Sequence, residues 1–180
     1  IPFWAKEPNP MINARAETVA EKPSFRHAFR KRRCLIPASG FYEWAKEDEQ
    51  KQPYFIRLKN ESPMAFAGLW EEWTSTEGET RQTCAIITIA ANSLMQEIHH
   101  RMPVILTPAS GAMWLANSGG RSSPEKLLRP FPADKMDAWR VSPKVSSPAF
   151  DNPDCLKKWE QAEIPEKKSE PPDAQISLFD

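Results

Sequence analysis

Hydrophobic and polar residues alternate with a period of two along residues 10–19, PMINARAETV, and this alternation predicts a half-buried strand. The predicted inward side carries Ile12, Ala14, Ala16 and Thr18, and the outward side carries Asn13, Arg15 and Glu17. An amide, a guanidinium and a carboxylate are less interchangeable than the polar groups on most solvent-facing strands. From these residues alone, the outward side is either a solvated strand edge or a binding surface.

Further short stretches rich in aromatic and β-branched residues also predict strands. They are CLIPASGFYEWA (34–45), which Pro37 and Gly40 interrupt, QPYFIRL (52–58), MAFAGLWEEW (64–73), TCAIITIAA (83–91), VIL (104–106) and MDAWRVSPKV (136–145). Polar turn and loop residues separate most of them.

Short helices are predicted between these strands. One begins at about Ser24 as its N-cap, one is capped by Asn92 or Ser93 and stopped by Pro103, one begins at Thr107-Pro108, and a brief one covers residues 124–131. The pattern predicts an α+β fold, a single domain with a curled, mostly antiparallel, barrel-like sheet and short flanking helices.

Length and composition indicate one folded domain, residues 1–154, and a tail, residues 155–180. The chain has 180 residues, of which 40% are hydrophobic, and this suffices for a substantial core. The tail is highly charged and poor in apolar residues, so it is predicted to be disordered. Residues 151–180 carry eight acidic and four basic side chains, a net charge of −4, which leaves +4 on residues 1–150. A mildly basic body fits an anionic partner.

The cysteines and the apolar runs restrict the location and the chemistry. Cys34, Cys84 and Cys155 are widely spaced, so neither a disulfide scaffold nor a cysteine-based metal site is expected. No apolar run approaches the roughly 18 residues that cross a bilayer, and residues 1–4 do not resemble a signal peptide. We expect a cytoplasmic protein with no membrane partner, no cofactor and no metal.

Two further polar groups are candidates for chemistry. Glu43 lies between Tyr42 and Trp44 in an aromatic strand, where a carboxylate either points to solvent or lies in an aromatic pocket with a raised pKa. His99 and His100 lie where a predicted helix runs into a strand. Either histidine is a general acid–base candidate or a helix C-cap residue.

Four blocks in this order and spacing, PMINARAET, RCLIPASGFYEW, AIITIAAN and IHHRMPVIL, resemble the SOS-response-associated peptidase (SRAP) family over roughly residues 1–150. The resemblance implies a sensor of abasic sites in single-stranded DNA that acts in the DNA-damage (SOS) response. It also implies a lyase-like crosslinking activity, and a peptidase activity limited to self-processing.

The resemblance also assigns roles to residues of this chain. Catalytic roles fall on Glu43, His99 and Asn13, and DNA contacts fall on Phe3, Trp4, Asn13, Arg15 and Arg101. His99 would protonate the sugar ring oxygen, and Glu43, partly desolvated by Phe41, Tyr42 and Trp44, would take up the proton of the attacking amine. Trp4 would stack on a base, and the arginines, with the Arg26–Arg33 cluster, would hold phosphates. Glu17 is expected to orient Arg15 and is assigned no chemistry.

Family members attach to the abasic sugar through an N-terminal Cys, in a thiazolidine ring. None of Cys34, Cys84 and Cys155 matches that Cys, and the family's Met-Cys-Gly-Arg-Phe start is absent from this chain. We expect that the chain is N-terminally incomplete; the alternative is a family member without its nucleophile. A non-covalent single-stranded DNA-binding module is the alternative function. No Ser/His/Asp or HExxH arrangement for general proteolysis is visible.

The chain ends in QISLFD, an apolar segment after two prolines in an acidic tail. The pattern at residues 175–179 resembles the short peptide by which bacterial replication and repair proteins bind the sliding clamp. Gln175 would bond at one edge of the clamp's pocket, and Leu178 and Phe179 would fill it. The bacterial clamp is therefore a predicted partner of the tail, and a chance match is the alternative.

Overall fold

Two β-sheets form most of the described chain, which in this computed structural model comprises residues 1–6, 11–47, 50–116 and 123–159. The first sheet contains β1 (Asn13–Arg15), β2 (Arg33–Ala38), β5 (Met64–Thr74), β6 (Thr80–Ala90), β7 (Arg101–Pro103) and β8 (Ile105–Leu106), and the second contains β3 (Phe41–Glu47), β4 (Gln50–Leu58) and β9 (Met136–Arg140). The α-helices are α1 (Arg26–Lys31), α2 (Ser93–Gln96) and α3 (Pro108–Leu115), and short 3₁₀ helices cover Pro124–Leu127, Ala133–Lys135, Pro143–Ser146 and Pro153–Leu156.

The strand order of the first sheet is β1-β6-β5-β2, with β7 on β6 and β8 on β5, and the order of the second is β3-β4-β9. Every pairing is antiparallel except that of β1 with β6, which is parallel. The sheet curls into a half-barrel in one domain with few helices, so the predicted α+β class and the curled, mostly antiparallel sheet are confirmed.

Apolar side chains of the first sheet pack on both of its faces. One face packs on α1 and α3, in a cluster that includes Ala14, Phe29, Leu69, Ile87 and Trp114. The other face packs on the second sheet, in a cluster that includes Ile56, Phe66, Met95, Met102 and Met136. Strand alternation therefore sends neighbouring residues of β5 and β6 into different clusters.

Gly40 forms the corner where β2 of the first sheet leads into β3 of the second. A Cβ at this position would lie 2.3 Å from Cζ of Phe55 and 2.5 Å from the carbonyl oxygen of Ile56. The strand therefore turns between the sheets at a residue without a side chain. Pro37, which we expected to interrupt the strand, lies within β2, because an edge strand tolerates the missing donor.

Two of the three predicted α-helix caps are confirmed. Asn92 accepts from the backbone N–H of Met95, and Thr107 forms a capping box with Ser110. The predicted cap at Ser24 is wrong, because α1 begins one residue later, after Phe25. A turn that precedes α1 already satisfies its backbone, since the carbonyl oxygen of Lys22 accepts from Phe25 and Arg26. None of the described helices has the length and apolar character required to cross a membrane.

The strand predicted over residues 10–19 is regular only at Asn13–Arg15. Ala14 is buried as predicted, but Ile12 is 68% exposed and Thr18 is exposed, so their predicted inward orientation is wrong. The strand ends early because the backbone turns back, and the N–H of Thr18 donates to the carbonyl oxygen of Arg15.

The first residues of the predicted tail pack on the second sheet. The carbonyl oxygens of Cys155 and Leu156 accept from Tyr42 Oη and Trp139 Nε1, and the N–H of Trp159 donates to the carbonyl oxygen of Arg140. The remaining residues of the tail, with the predicted clamp peptide of Gln175, Leu178 and Phe179, lie outside the described part of the chain.

Candidate active site

The outward residues of β1 lie on the face of the first sheet that packs on the second sheet. Asn13 lies opposite Ile86 and Arg15 opposite Thr88 in the pairing with β6, and Ile86 packs against the cluster between the sheets. We call this side of the first sheet the inner face. Asn13 and Arg15 are exposed there.

Glu43 and His99 meet at the edge of the same cluster. Oε2 of Glu43 lies 3.8 Å from Nδ1 of His99, and the two side chains are 27% and 35% exposed. Glu43 lies on β3 between Phe41 and Ala45, both of which pack in the cluster between the sheets, so period-two alternation points Glu43 to the same side. A half-buried carboxylate therefore faces an imidazole with solvent access.

His99 is the histidine next to Glu43. His100 is exposed, and its ring centroid lies 4.3 Å from that of His99. The N–H of Arg101 donates to Nδ1 of His99 at 3.2 Å, and the carbonyl oxygen of Arg101 lies 3.3 Å from the same nitrogen. The backbone of Arg101 therefore holds the ring of His99.

The aromatic neighbours of Glu43 in sequence do not surround its carboxylate. Tyr42 Oη donates to the carbonyl oxygen of Cys155 at 3.1 Å, and Trp44 Nε1 donates to Ser146 Oγ at 3.1 Å. Both side chains point to the opposite face of β3, as adjacent strand residues do. The predicted desolvation of Glu43 by Tyr42 and Trp44 is wrong, and Phe41 alone of the three shares its face.

Arg101 binds Glu17 rather than standing free. Its Nη1 and Nη2 donate to Oε1 and Oε2 of Glu17 at 2.6 and 3.0 Å, and this bidentate bond with Arg101 lowers the pKa of Glu17. Our expectation that Glu17 orients Arg15 is therefore wrong. Arg15 has no ion pair among the described residues.

The aromatic pair Phe3 and Trp4 is exposed, at 50% and 55%. The carbonyl oxygen of Ala5 accepts from Trp73 Nε1 at 2.6 Å, so the backbone beside Trp4 is attached to β5. The ring of Phe3 lies 5.2 Å from that of His27. Trp4 therefore presents an open aromatic face on an anchored segment.

The model of the SOS response associated peptidase (SRAP) family matches residues 1–148. This chain belongs to the SRAP family. It is 47% identical over 163 residues to the abasic site processing protein YoqW of Bacillus subtilis, with 87% of this chain and 72% of YoqW covered. It is 31% identical over 189 residues to the abasic site processing protein HMCES of Rattus norvegicus, with 87% and 54% covered. A solved protein from Bacteroides thetaiotaomicron superposes with a TM-score of 0.82 at 36% identity, over 89% of this chain and 74% of that one.

A polar group of Glu47, Tyr54 and Arg140 lies beside Glu43 in this SRAP chain and was not predicted from the sequence. Glu43 pairs in register with Tyr54, and Tyr54 pairs with Arg140. Tyr54 Oη donates to Glu47 at 3.0 Å and accepts from Arg140 Nε at 3.3 Å, and Arg140 also forms an ion pair with Glu47. Hydrogen bonding to Arg140 lowers the pKa of Glu47. Strand periodicity was the signal available in the sequence: Glu43 and Glu47 are an even number of residues apart, so they share one face of β3.

Only some side chains of the predicted phosphate-binding cluster Arg26–Arg33 are available to bind phosphate. Arg33 donates to the carbonyl oxygens of Phe29, Arg30, Trp114 and Ala116, and burial lowers its pKa. Arg32 forms an ion pair with the buried Glu71 and stacks on Trp70. These two arginines are structural, whereas Arg26, Arg30 and Lys31 are exposed.

The cysteines of the SRAP chain do not form a nucleophilic or metal-binding group with Glu43 and His99. All three are free, and burial raises the pKa of the Cys34 thiol to about 11, so this thiol is almost entirely protonated at neutral pH. Within the described ranges, no set of three His, Cys, Asp or Glu side chains is arranged to hold a metal ion.

Proposed function

We propose that this protein recognises abasic sites in single-stranded DNA and forms a thiazolidine crosslink with them. The observation that carries the proposal is the approach of His99 Nδ1 to Glu43 Oε2, at 3.8 Å, between the second sheet and the inner face of the first sheet, which bears Asn13 and Arg15. Relatives that are named abasic site processing proteins support the substrate class. The protein then acts in the DNA-damage (SOS) response, in the cytoplasm, and associates with the nucleoid when bound to DNA.

His99 and Glu43 divide the proton transfers between them. An abasic deoxyribose is mostly a closed hemiacetal, so its aldehyde is released only after a proton reaches the ring oxygen. His99 donates that proton as a general acid, the role that histidine takes most often in proton transfer. Glu43 takes up the proton that the attacking amine loses, and it assists the departure of water.

The crosslink forms through an imine. The amine of an N-terminal Cys attacks the aldehyde carbon, and the resulting carbinolamine loses water to give an imine. The thiol of the same Cys adds to the imine carbon, which closes the five-membered ring. One C–N bond and one C–S bond form, and one water is released. The family resemblance implies this Cys, and the three cysteines within the 180 residues do not take its place.

The DNA strand is held by groups that do not distinguish sequence. Arg15, exposed on the inner face, binds a phosphate near the lesion. Asn13 bonds a sugar hydroxyl or the nucleophile. Trp4, with Phe3 beside it, stacks on a neighbouring base, which is worth about 1–3 kcal/mol per base.

The test is incubation of the complete gene product with a labelled single strand that carries one abasic site, followed by denaturing electrophoresis. We expect a crosslinked band, formed much more slowly by Glu43→Gln and His99→Ala variants that bind the strand with unchanged affinity. His100→Ala is the matched control, because His100 is exposed beside His99. If Glu43→Gln and His99→Ala crosslink at the rate of the unaltered protein, the assigned chemistry is wrong.

Non-covalent binding of single-stranded DNA is the second candidate, favoured by the exposed Trp4 and Arg15. A test of the 180-residue chain by itself distinguishes non-covalent binding from covalent crosslinking. We expect it to bind the abasic strand and to form no heat-stable adduct, because it has no N-terminal aminothiol. A band that survives denaturation would contradict the assignment of an N-terminal Cys as the sole nucleophile.

We also propose that residues 175–179 bind the bacterial sliding clamp and bring the protein to replicating DNA. The support is the sequence Gln-Ile-Ser-Leu-Phe in an acidic tail. A peptide of residues 170–180 is expected to bind the clamp, and the same peptide with Leu178→Ala and Phe179→Ala is not. Equal binding by both peptides, or by neither, contradicts the proposal.

A further inference from the structure

Glu17 is the one outward residue of the opening motif to which the proposed chemistry gives no role. It lies two residues after β1, and its side chain is 48% exposed, whereas that of Arg101 is 19% exposed. The carboxylate accepts from both terminal nitrogens of Arg101, at 2.6 and 3.0 Å. The planar fork of arginine matches a carboxylate in this bidentate geometry, which fixes orientation as well as charge.

Arg101 also bonds to the strand between itself and Glu17. Its Nη2 donates to the carbonyl oxygen of Thr88 at 2.5 Å and lies 3.3 Å from Thr88 Oγ1. The same carbonyl oxygen accepts from the N–H of Ala16 at 2.8 Å. Arg101 therefore extends from β7 across β6 to the turn after β1, and one guanidinium bonds to both of these segments.

The backbone of Arg101 sets the state of the His99 ring. The N–H of Arg101 donates to Nδ1 at 3.2 Å, and this contact favours the neutral tautomer that accepts at Nδ1 and carries its proton on Nε2. When His99 is protonated, Nδ1 has two acceptors near it, the carbonyl oxygen of Arg101 at 3.3 Å and Oε2 of Glu43 at 3.8 Å. The Arg101 backbone contacts Nδ1 through both its N–H and its carbonyl oxygen, so its position influences which ring nitrogen of His99 carries the proton.

We propose that Glu17 is a positioning residue for His99, which it holds through the side chain and then the backbone of Arg101. The contact chain runs from the Glu17 carboxylate to the Arg101 guanidinium, and from the Arg101 N–H to Nδ1 of His99. This inference rests on the proposed function only in that His99 acts in the crosslinking reaction. The arrangement of the ring can be measured without any reaction.

The first experiment measures the tautomer of His99 by ¹⁵N NMR of the histidine rings in the 180-residue chain. The chain has only three histidines, so His99→Ala and His100→Ala variants assign the signals. We expect the Nε2–H tautomer in the unaltered chain and a mixture of tautomers in Glu17→Gln. Glu21→Gln is the control, since it removes the same charge from an exposed position in the segment after β1. An unchanged tautomer in Glu17→Gln overturns the proposal.

The second experiment compares crosslinking rate with DNA affinity in the complete gene product. General acid–base catalysis contributes about 10²–10⁴-fold, and we expect Glu17→Gln to lose about tenfold in rate while affinity for an undamaged strand stays within about twofold. A loss of affinity and folding stability with an unchanged rate means that Glu17 is only structural, which overturns the proposal. If the unaltered protein forms no crosslink, the proposed function fails, and the tautomer measurement still decides the role of Glu17.

Discussion

Nε of Arg33 donates a 2.6 Å hydrogen bond to the carbonyl oxygen of Trp114, which lies 81 residues further along the chain. Arg33 also bonds to the carbonyl oxygens of Phe29 and Ala116. These acceptors belong to the ends of α1 and α3, where helices leave carbonyl groups without partners. One guanidinium at the start of β2 therefore closes both helices.

We predict that Arg33→Met destabilises the fold by about 2–4 kcal/mol, because it leaves several carbonyl groups without a charged donor. The free energy of unfolding in urea measures this change. Arg30→Met is the matched control, since Arg30 is exposed on α1, and we expect a change below about 0.5 kcal/mol. Equal losses in the two variants would contradict a structural role for Arg33.

Arg15 is predicted to contribute one phosphate contact. We expect Arg15→Ala to weaken binding of every single-stranded sequence alike and to reduce the salt slope of log K by about 0.7, the value for one phosphate on a single strand. Titrations at several salt concentrations measure the slope. Arg129→Ala removes the same charge from an exposed position outside the Arg26–Arg33 cluster, and an equal effect there would mean that Arg15 contributes only to the overall charge.

Trp4 is predicted to provide a stacking surface. We expect Trp4→Ala to raise the Kd for single-stranded DNA about tenfold, equivalent to about 1.4 kcal/mol, within the range of one stacked base. The loss is independent of which base is present and of salt concentration, which separates it from the Arg15 effect. Leu115→Ala is the control for a lost exposed apolar side chain on α3, and fluorescence anisotropy provides the measurement.

The stability of the fold is predicted to fall in acid. In the folded protein the pKa of Glu17 and that of Glu47 lie below the ordinary glutamate value, since Arg101 and Arg140 bond to the ionised forms. This stabilisation is complete above the unfolded pKa of about 4.3 and is lost as pH falls through the lower folded values. Urea unfolding at about pH 6 and about pH 3 measures it, and Glu47→Gln should show a smaller loss than the unaltered chain. A loss of the same size in both would contradict this assignment.

Much of the fold could be predicted because each strand carries its own pattern. The aromatic and β-branched runs became β4, β5 and β6, and the caps at Asn92 and Thr107 were visible as local chemistry. The early end of β1 was not predictable, since a turn bond between Thr18 and Arg15 decides it.

The candidate site was only partly predictable for a related reason. Motifs indicate residue types, and Glu43 and His99 do meet. Partners that are distant in sequence leave no local signal. Glu17, near the start of the chain, binds Arg101 of β7, and Arg140 of the last strand binds Glu47. Strand parity alone could have shown that Tyr42 and Trp44 face away from Glu43.

β1 joins the first sheet through three residue pairs with β6, and its partner lies far along the chain. Two of the longer pairings, β3 with β4 and β5 with β6, are hairpins between consecutive strands. Contacts between distant segments form late in folding and open readily when they are few. Asn13 and Arg15 therefore join a nearly finished scaffold, and hydrogen exchange at β1 should outpace that at β5. Part of the surface proposed to hold DNA is therefore able to loosen while the core stays intact.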